Sequence, residues 1–309
     1  MNLSMEYFAA IVSSTLRQCA PLLYCSLAAA ICTKAQVFNI AMEGLMMASA
    51  FFSIVANFYT HSVWIALLAG VASSVVLALT LGFFIIRLKA SPVIAGMALN
   101  TMMGGATTYL MYVFFGTKGV FTDPSLVGLP KVKLFNGVPG LGGMLAGLTA
   151  VDYLSFVAAI LVYIVLYRMT VGYRLRAIGI SPEAARSLGT PVERYQYATL
   201  AVSGALCGLA GMLLSMGSVT LFIQNITSGR GYIAMAANNL GKSHPLGVLA
   251  ASLFFGCCQA LGNFLQNTSL KGQITASIPY AATVLALILF TVKKRASRKK
   301  RIRRALGEK

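Results

Sequence analysis

Residues 63–86 read VWIALLAGVASSVVLALTLGFFII, without one charged side chain. Closed into a helix at a rise of about 1.5 Å per residue, this run reaches about 36 Å, more than the roughly 30 Å of hydrocarbon in a bilayer. In that medium every backbone N–H and C=O has to be satisfied inside the protein, which leaves only helices or a closed barrel. A barrel strand alternates apolar and polar residues, and neither this stretch nor the rest of the chain does so.

Working outward, similar uncharged stretches cover Ser91 to Thr117, Tyr195 to about Met216, Ser243 to about Gly262, and Gly272 to Val292. Of the 309 residues 58% are hydrophobic and 10% charged, with a mean hydropathy of +0.78. These proportions exclude a soluble fold built on a large core. The expectation is an all-α polytopic transmembrane bundle, one domain over residues 1–309, with about eight to ten spans. The first residues lack a basic n-region and a cleavage site, so the first apolar stretch is expected to be retained.

The net charge of +18 suggests nucleic acid at first sight. Nine of the twelve residues from Lys293 to Arg304 are basic, however, and they follow the last apolar run directly. That is the positive-inside anchor of a cytoplasmic C-terminus, with residues 293–309 positioned to touch anionic membrane lipid and no nucleic acid required. Counting back from this tail puts Arg87, Lys89, Arg168, Arg174, Arg176, Arg186 and Arg194 in the cytoplasm, and the loops Gly116 to Gly140 and Gln224 to Arg230 outside. Two arrangements of the first 45 residues fit. About nine crossings put the N-terminus outside, with Arg17 inside an apolar segment; a broken or re-entrant helix near Asn39 to Gly44 changes the parity.

One polar interval, TVGYRLRAIGISPEAARSLGTPVERY at residues 170–195, interrupts the apolar text. Ser181 is a helix N-cap, Pro182 suits the first helical position, Glu183 places a carboxylate on the positive helix end, and Gly189 is a stop. The spacing predicts a two-turn helix from Pro182 to Leu188. Ala184, Ala185 and Leu188 lie three and four apart and share a face, with Arg186 elsewhere. A helix this short is unstable alone, so it is expected to be presented to a partner that completes its packing.

Candidate chemistry inside the membrane is sparse. Of seven acids, Glu43 alone lies deep in an apolar surround, FNIAMEGLMM. A carboxylate at mid-membrane costs about 2.5 to 3.5 kcal/mol on insertion scales, so it needs partners. It could line a translocation path, cap a broken helix, or pair with Arg17 or Lys34. Asn39, Asn100, Asn238 and Asn239 could likewise bond a polar solute or join helices to one another. Gly204 with Gly208, Cys207 with Gly211, and Gly143 with Gly147 have the spacing of close helix contacts, within the chain or across a dimer. The six cysteines show no CxxC spacing and read as reduced packing residues, with no metal site. No HExxH, GxSxG or Walker A lysine occurs, and no carboxylates pair closely in sequence to hold Mg²⁺. A catalytic role is therefore not expected, and if transport is driven, the motor resides on another chain.

The segments RAIGISPEAARSLGTPVERY, AVSGALCGLAG and TSGRGYIAMAANNLGKSHPLGVLAASLFFG, taken with NIAMEGLMM, resemble permease subunits of bacterial ATP-binding-cassette importers of the ribose/branched-chain amino acid class. The string Asn39, Ile40, Met42, Glu43, Gly44 and the string Gly229, Arg230, Gly231, Tyr232, Ile233, Ala234 resemble the nucleoside, guanosine-type branch in particular. The match covers about Thr33 to Val292, with Ala41 in place of a usual Gly and Asn238 and Asn239 in a commonly apolar stretch. The resemblance implies that Glu183, Ala184, Ala185 and Gly189, framed by Ser181, Pro182, Arg186 and Leu188, form the helix that couples to a cytoplasmic ABC ATPase. It also implies a second homologous permease in a heterodimer, an extracytoplasmic substrate-binding lipoprotein, and a place in the bacterial cytoplasmic (inner) membrane. On this reading the chain binds no cofactor, ATP and Mg sit on the ATPase, and the cargo is a small polar solute. A nucleoside is expected; a simple sugar such as ribose through the same machinery, or a stand-alone secondary transporter, are the alternatives.

Overall fold

The computed structural model describes residues 3–132, 145, 147–217 and 219–266. The expected last span, Gly272 to Val292, and the basic tail lie outside the described residues. Helix α1 (Leu3–Lys34) is followed by α2 (Met42–Thr60) and α3 (Val63–Gly82), which runs on through a π-turn at Phe83–Arg87. Then come α4 (Pro92–Phe115) and the two-residue strand β1 (Val120–Phe121). The polar interval is bracketed by α5 (Ala150–Arg168) and α8 (Val192–Met216), and itself forms α6 (Thr170–Ile180) and α7 (Pro182–Ser187). Strand β2 (Phe222–Ile223), α9 (Arg230–Leu240) and α10 (Pro245–Gln266) complete the described chain.

Six of these helices are long and apolar enough to cross a membrane. Helix α4 has a span's length at 24 residues, with its apolarity diluted by Asn100, Thr101, Thr107, Thr108 and three glycines. Helix α1 is the hub: from Cys19 to Cys32 it is buried almost without interruption, with α5, α8, α9 and α10 packed around it.

Small residues set the close crossings. A Cβ at Gly204 would meet Ala78 Cβ at 2.7 Å, and one at Gly208 would meet the Val71 backbone at 2.9 Å. The glycine pair is therefore an intrachain contact between α8 and α3, reinforced by the Ser74 hydroxyl donating to the Gly204 carbonyl at 2.7 Å. Gly211 lies against the backbone of Met46, and Gly256 against that of Cys19.

The bundle has two distinct ends. One carries α6 and α7, and there Gly179 abuts the Lys34 carbonyl at the end of α1. The other carries the β1–β2 pair, the Asn57 amide donating to the Val127 carbonyl at 2.7 Å, and Arg17 beside Gly147. Helix α1 thus runs from the β-pair end to the α7 end. A break is present as well: residues 35–41 are non-helical, and the Asn39 amide donates to Ser203 Oγ at 2.9 Å. Ser203 is the twelfth residue of the 25-residue α8, which places the break near mid-depth. Helix α9, with 11 residues, reaches only about 16 Å and covers half a crossing.

Candidate coupling helix and buried polar cluster

The local signals around residue 181 act as their chemistry requires. Ser181 is extended (φ −152°, ψ 105°) and its hydroxyl accepts the Ala184 N–H at 3.2 Å, with Pro182 opening the helix. At the other end Gly189 adopts φ +78°. The Thr190 N–H reaches the Ala185 carbonyl at 3.0 Å and the Gly189 N–H the Arg186 carbonyl at 2.9 Å, the paired bonds of a Schellman stop. Helix α7 closes at Ser187, with Leu188 as its C-cap, one residue short of the predicted end.

The predicted apolar face divides. Ala185 is buried in a small cluster with Ile178 and Val192, against which Tyr195 packs, whereas Ala184 and Leu188 face outward. The reason lies in α6 and the start of α8, which approach α7 from the Ala185 side. Ile180 and Leu188 are 86% and 85% exposed, the most open large apolar side chains among the described residues, and they flank α7 on both sides. Glu183 and Arg186 are exposed too, with Arg186 3.9 Å from Glu193, a surface pair worth little by itself.

The seat beneath α7 is held by arginine–tyrosine contacts. Arg176 lies over the rings of Tyr167 and Tyr173, each 4.8 Å from the guanidinium carbon, and Arg174 donates to the Tyr195 hydroxyl at 2.9 Å. Since Gly179 contacts the Lys34 carbonyl directly, any tilt of α6 and α7 bears on the end of α1.

At mid-depth Glu43 occupies the first turn of α2, and its two carboxylate oxygens accept the N–H groups of Gly229 and Gly231, both at 2.7 Å. It caps the half-helix α9 from another element; Arg17 lies at the β-pair end and Lys34 at the α7 end. A Cβ on Gly231 would stand 2.8 Å from Glu43 Oε2, so only glycine permits this approach. The arrangement joins a helix N-terminus, with its unsatisfied donors and partial positive charge, to an acid that burial would otherwise penalise.

The four amides fall into distinct positions. Asn39 accepts the Ala41 N–H at 3.1 Å besides bonding Ser203. Asn100 accepts the Gly44 N–H at 2.8 Å and donates to the Ile40 carbonyl at 2.9 Å and to the Tyr232 hydroxyl at 3.1 Å, so it staples α4 to the break and to α9. Asn238 donates to Thr33 Oγ1 at 3.2 Å. Asn39, Glu43, Asn100 and Asn238 are buried, whereas Asn239 is exposed. Seven residues before it, on the same face of α9, stands Tyr232, half exposed although its hydroxyl is bonded to Asn100. Tyr232 entered the sequence reading only as part of the Gly229 to Ala234 string and not as a path candidate; the signal that sets it beside Asn239 is the recurrence of aromatic and amide at a helical spacing in a segment too short to span.

Comparison with known proteins gives this geometry a context. The chain is 30% identical over 299 residues to the guanosine ABC transporter permease protein NupQ of Bacillus subtilis, covering 93% of each. It is 28% identical to the nucleoside ABC transporter permease protein NupC of Lactococcus lactis, covering 91% of this chain and 92% of that one. At 29% and 92% of each it is also similar to TsgC13 of Haloferax volcanii, named for glucose ABC transport. Among solved structures, an inward-facing ABC transporter described as of metal-chelate type superposes with a TM-score of 0.54 at 14% identity, covering 91% of this chain and 85% of that one, a likeness of fold alone. Through a match that spans residues 11–292, the chain belongs to the family of permease components of branched-chain amino acid transport systems, and it is the multi-pass permease component of an ABC transporter.

Proposed function

We propose that the chain imports nucleosides across a bacterial cytoplasmic membrane, driven by a separate ABC ATPase that grips α7. The observation that carries this reading is the form of α7. It is capped at both ends, seated on one side through Ala185, and open on the other, where Ile180 and Leu188 present apolar surface to no described neighbour. The end that carries α7 is then cytoplasmic, as the arginines of α6 and α8 require. ATP and Mg belong to the ATPase, a lipoprotein delivers solute to the β-pair end, and a second homologous permease completes the channel. Closure of the ATPase tilts α7, Gly179 transmits the movement to α1, and the break at residues 35–41 with the half-helix α9 changes the side to which the path opens. Guanosine and nucleoside transport by the relatives supports the choice of cargo.

The test is reconstitution of the chain with its ATPase and second permease in proteoliposomes. ATP-dependent nucleoside uptake is expected, and Glu183→Arg or Gly189→Val should lower it by about tenfold or more while ATP hydrolysis persists, because the docking face is altered and the left-handed stop is lost. Uptake by the lone chain would establish a secondary transporter instead, and uptake of free sugar alone would overturn the nucleoside assignment.

The path itself runs along the α9 face bearing Tyr232 and Asn239, since half-helices at membrane depth are tolerated where they line protein or water. An aromatic ring suits a planar base, and stacking of this kind is worth about 1 to 3 kcal/mol per base in other settings. Tyr232→Leu is therefore expected to slow nucleoside uptake by roughly five- to 100-fold, with Tyr232→Phe restoring most of it. Equal rates for the leucine variant and the parent would remove Tyr232 from the path.

A further inference from the structure

Helices α5 and α8 both pack on α1 but barely on each other, and the gap between them is a cleft of about 330 Å³. Its floor is apolar, with Ile31, Leu166 and Leu206 buried, and its rim at Leu161, Val171 and Val202 is exposed. The Thr199 hydroxyl in the wall is spent on the Tyr195 carbonyl, to which it donates at 2.7 Å, so the cleft has little to offer a polar solute. Along α8 it extends from Tyr195 to Leu206, about 16 Å at a rise of about 1.5 Å per residue. That is the depth of one leaflet in a hydrocarbon core of about 30 Å. Gly172, packed on the Val165 and Leu166 carbonyls, turns α6 over the α7 end of the cleft, where Val171 and Leu175 close it.

Three arginines stand at that end. Arg174 donates to the hydroxyl of Tyr195, itself part of the wall, at 2.9 Å. Arg168 follows Val165 by three residues and Leu161 by seven, and Arg194 precedes Ala198 by four, so each shares a helix face with residues of the rim. All three are exposed, and among the described residues none is in ion-pair contact with a carboxylate; Glu193, at the same end, is 3.9 Å from Arg186.

An apolar slot one leaflet deep beneath a cationic rim is complementary to an amphiphile with an anionic head. We propose that the cleft holds one anionic glycerophospholipid, with an acyl chain in the slot and its phosphate on Arg174, flanked by Arg168 and Arg194. Planar guanidinium forks match phosphate oxygens, and the acyl chain supplies the close contacts that an unfilled slot forgoes. The chain's own uncharged run from Gly272 to Val292 is a poorer occupant, because Lys271 and Lys293 bound it and either end would set a cation against these arginines. With lipid in place, α6 is held against α5 and α8, which fixes the angle at which α6 presents α7. The inference holds whatever the cargo and whatever grips α7.

Native mass spectrometry of the full-length chain in neutral detergent tests it, with phosphatidylglycerol and phosphatidylcholine of identical acyl chains titrated in competition. One phosphatidylglycerol is expected to stay bound in preference to phosphatidylcholine by about tenfold or more, since each arginine at an anionic headgroup is worth about fivefold. Arg168→Gln and Arg174→Gln should each lower that ratio by about fivefold, and Ala198→Trp, which fills the rim, should remove bound lipid of either kind. Lys131→Gln, at an exposed cation of the β-pair end, should leave both unchanged. Equal retention of the two lipids, or a preference kept by the variant carrying both Arg168→Gln and Arg174→Gln, overturns the proposal and leaves the cleft as plain apolar surface. A lipid-free dimer overturns it too, by identifying the cleft as an interface between copies of the chain. Should Ala198→Trp yield no folded protein, the arginine series decides, because those side chains are exposed.

Discussion

Glu43→Leu is expected to abolish uptake and to lower the unfolding midpoint of the purified permease. The two N–H groups at Gly229 and Gly231 sit at mid-depth, and the leucine offers them no acceptor. Hydrogen bonds to a charged group contribute about 1.5 to 3 kcal/mol each, so the pair amounts to about 3 to 6 kcal/mol. At about 2 °C per kcal/mol for a chain of this size, the midpoint falls by roughly 6 to 12 °C. Glu43→Gln keeps one acceptor oxygen but turns an NH₂ toward the other donor, and should lie between parent and leucine. Thermal unfolding in detergent, measured beside uptake, separates the contributions. A leucine variant with parental stability and transport would show that α9 keeps its place without this cap.

The second large effect is expected from the paired substitution Ile180→Asp with Leu188→Asp. Both side chains are almost fully exposed in the isolated chain, so its own stability should change by less than about 1 kcal/mol. If an ATPase grips α7 as proposed, each becomes covered, and burying a leucine or isoleucine is worth about 1.5 to 3 kcal/mol. Losing both weakens association by about 3 to 6 kcal/mol, roughly two to four decades in Kd. Co-purification of the ATPase and nucleoside uptake should therefore fail together while the unfolding midpoint holds. Ala185→Asp is the contrasting case, because it places a charge inside the cluster of Ile178 and Val192 and should unseat α7. Retention of a tightly bound ATPase by the double aspartate variant would mean that α7 is gripped elsewhere or not at all.

Much of this was legible in the residues. The 63–86 run was legible because lipid imposes its requirement on each segment separately, whatever the neighbours do. The caps of α7 were legible because Ser181, Pro182 and Gly189 act on backbone groups two to four residues away. The exposed face of α7 was not. A two-turn helix shows its neighbours either side, and the packing of α6 and α8 against Ala185 chose, leaving Leu188 outside. The glycine pair was read as a contact without an owner; the positions of Ser74, Val75 and Ala78 assigned it to α3.

Glu43 marks the boundary most sharply. Composition alone established that an acid in FNIAMEGLMM needs partners, that the chain is a bundle of membrane helices, and that a capped polar helix interrupts it, because desolvation and capping are local costs. The partners of Glu43 lie 186 and 188 residues further along the chain, at the start of a helix too short to cross. Only tertiary structure could decide that pairing, along with the staple from Asn100 to Tyr232. Each depends on where separate spans come to rest against α1, and packing of that kind is settled by the fit of whole helices, for which no short stretch of residues carries the information.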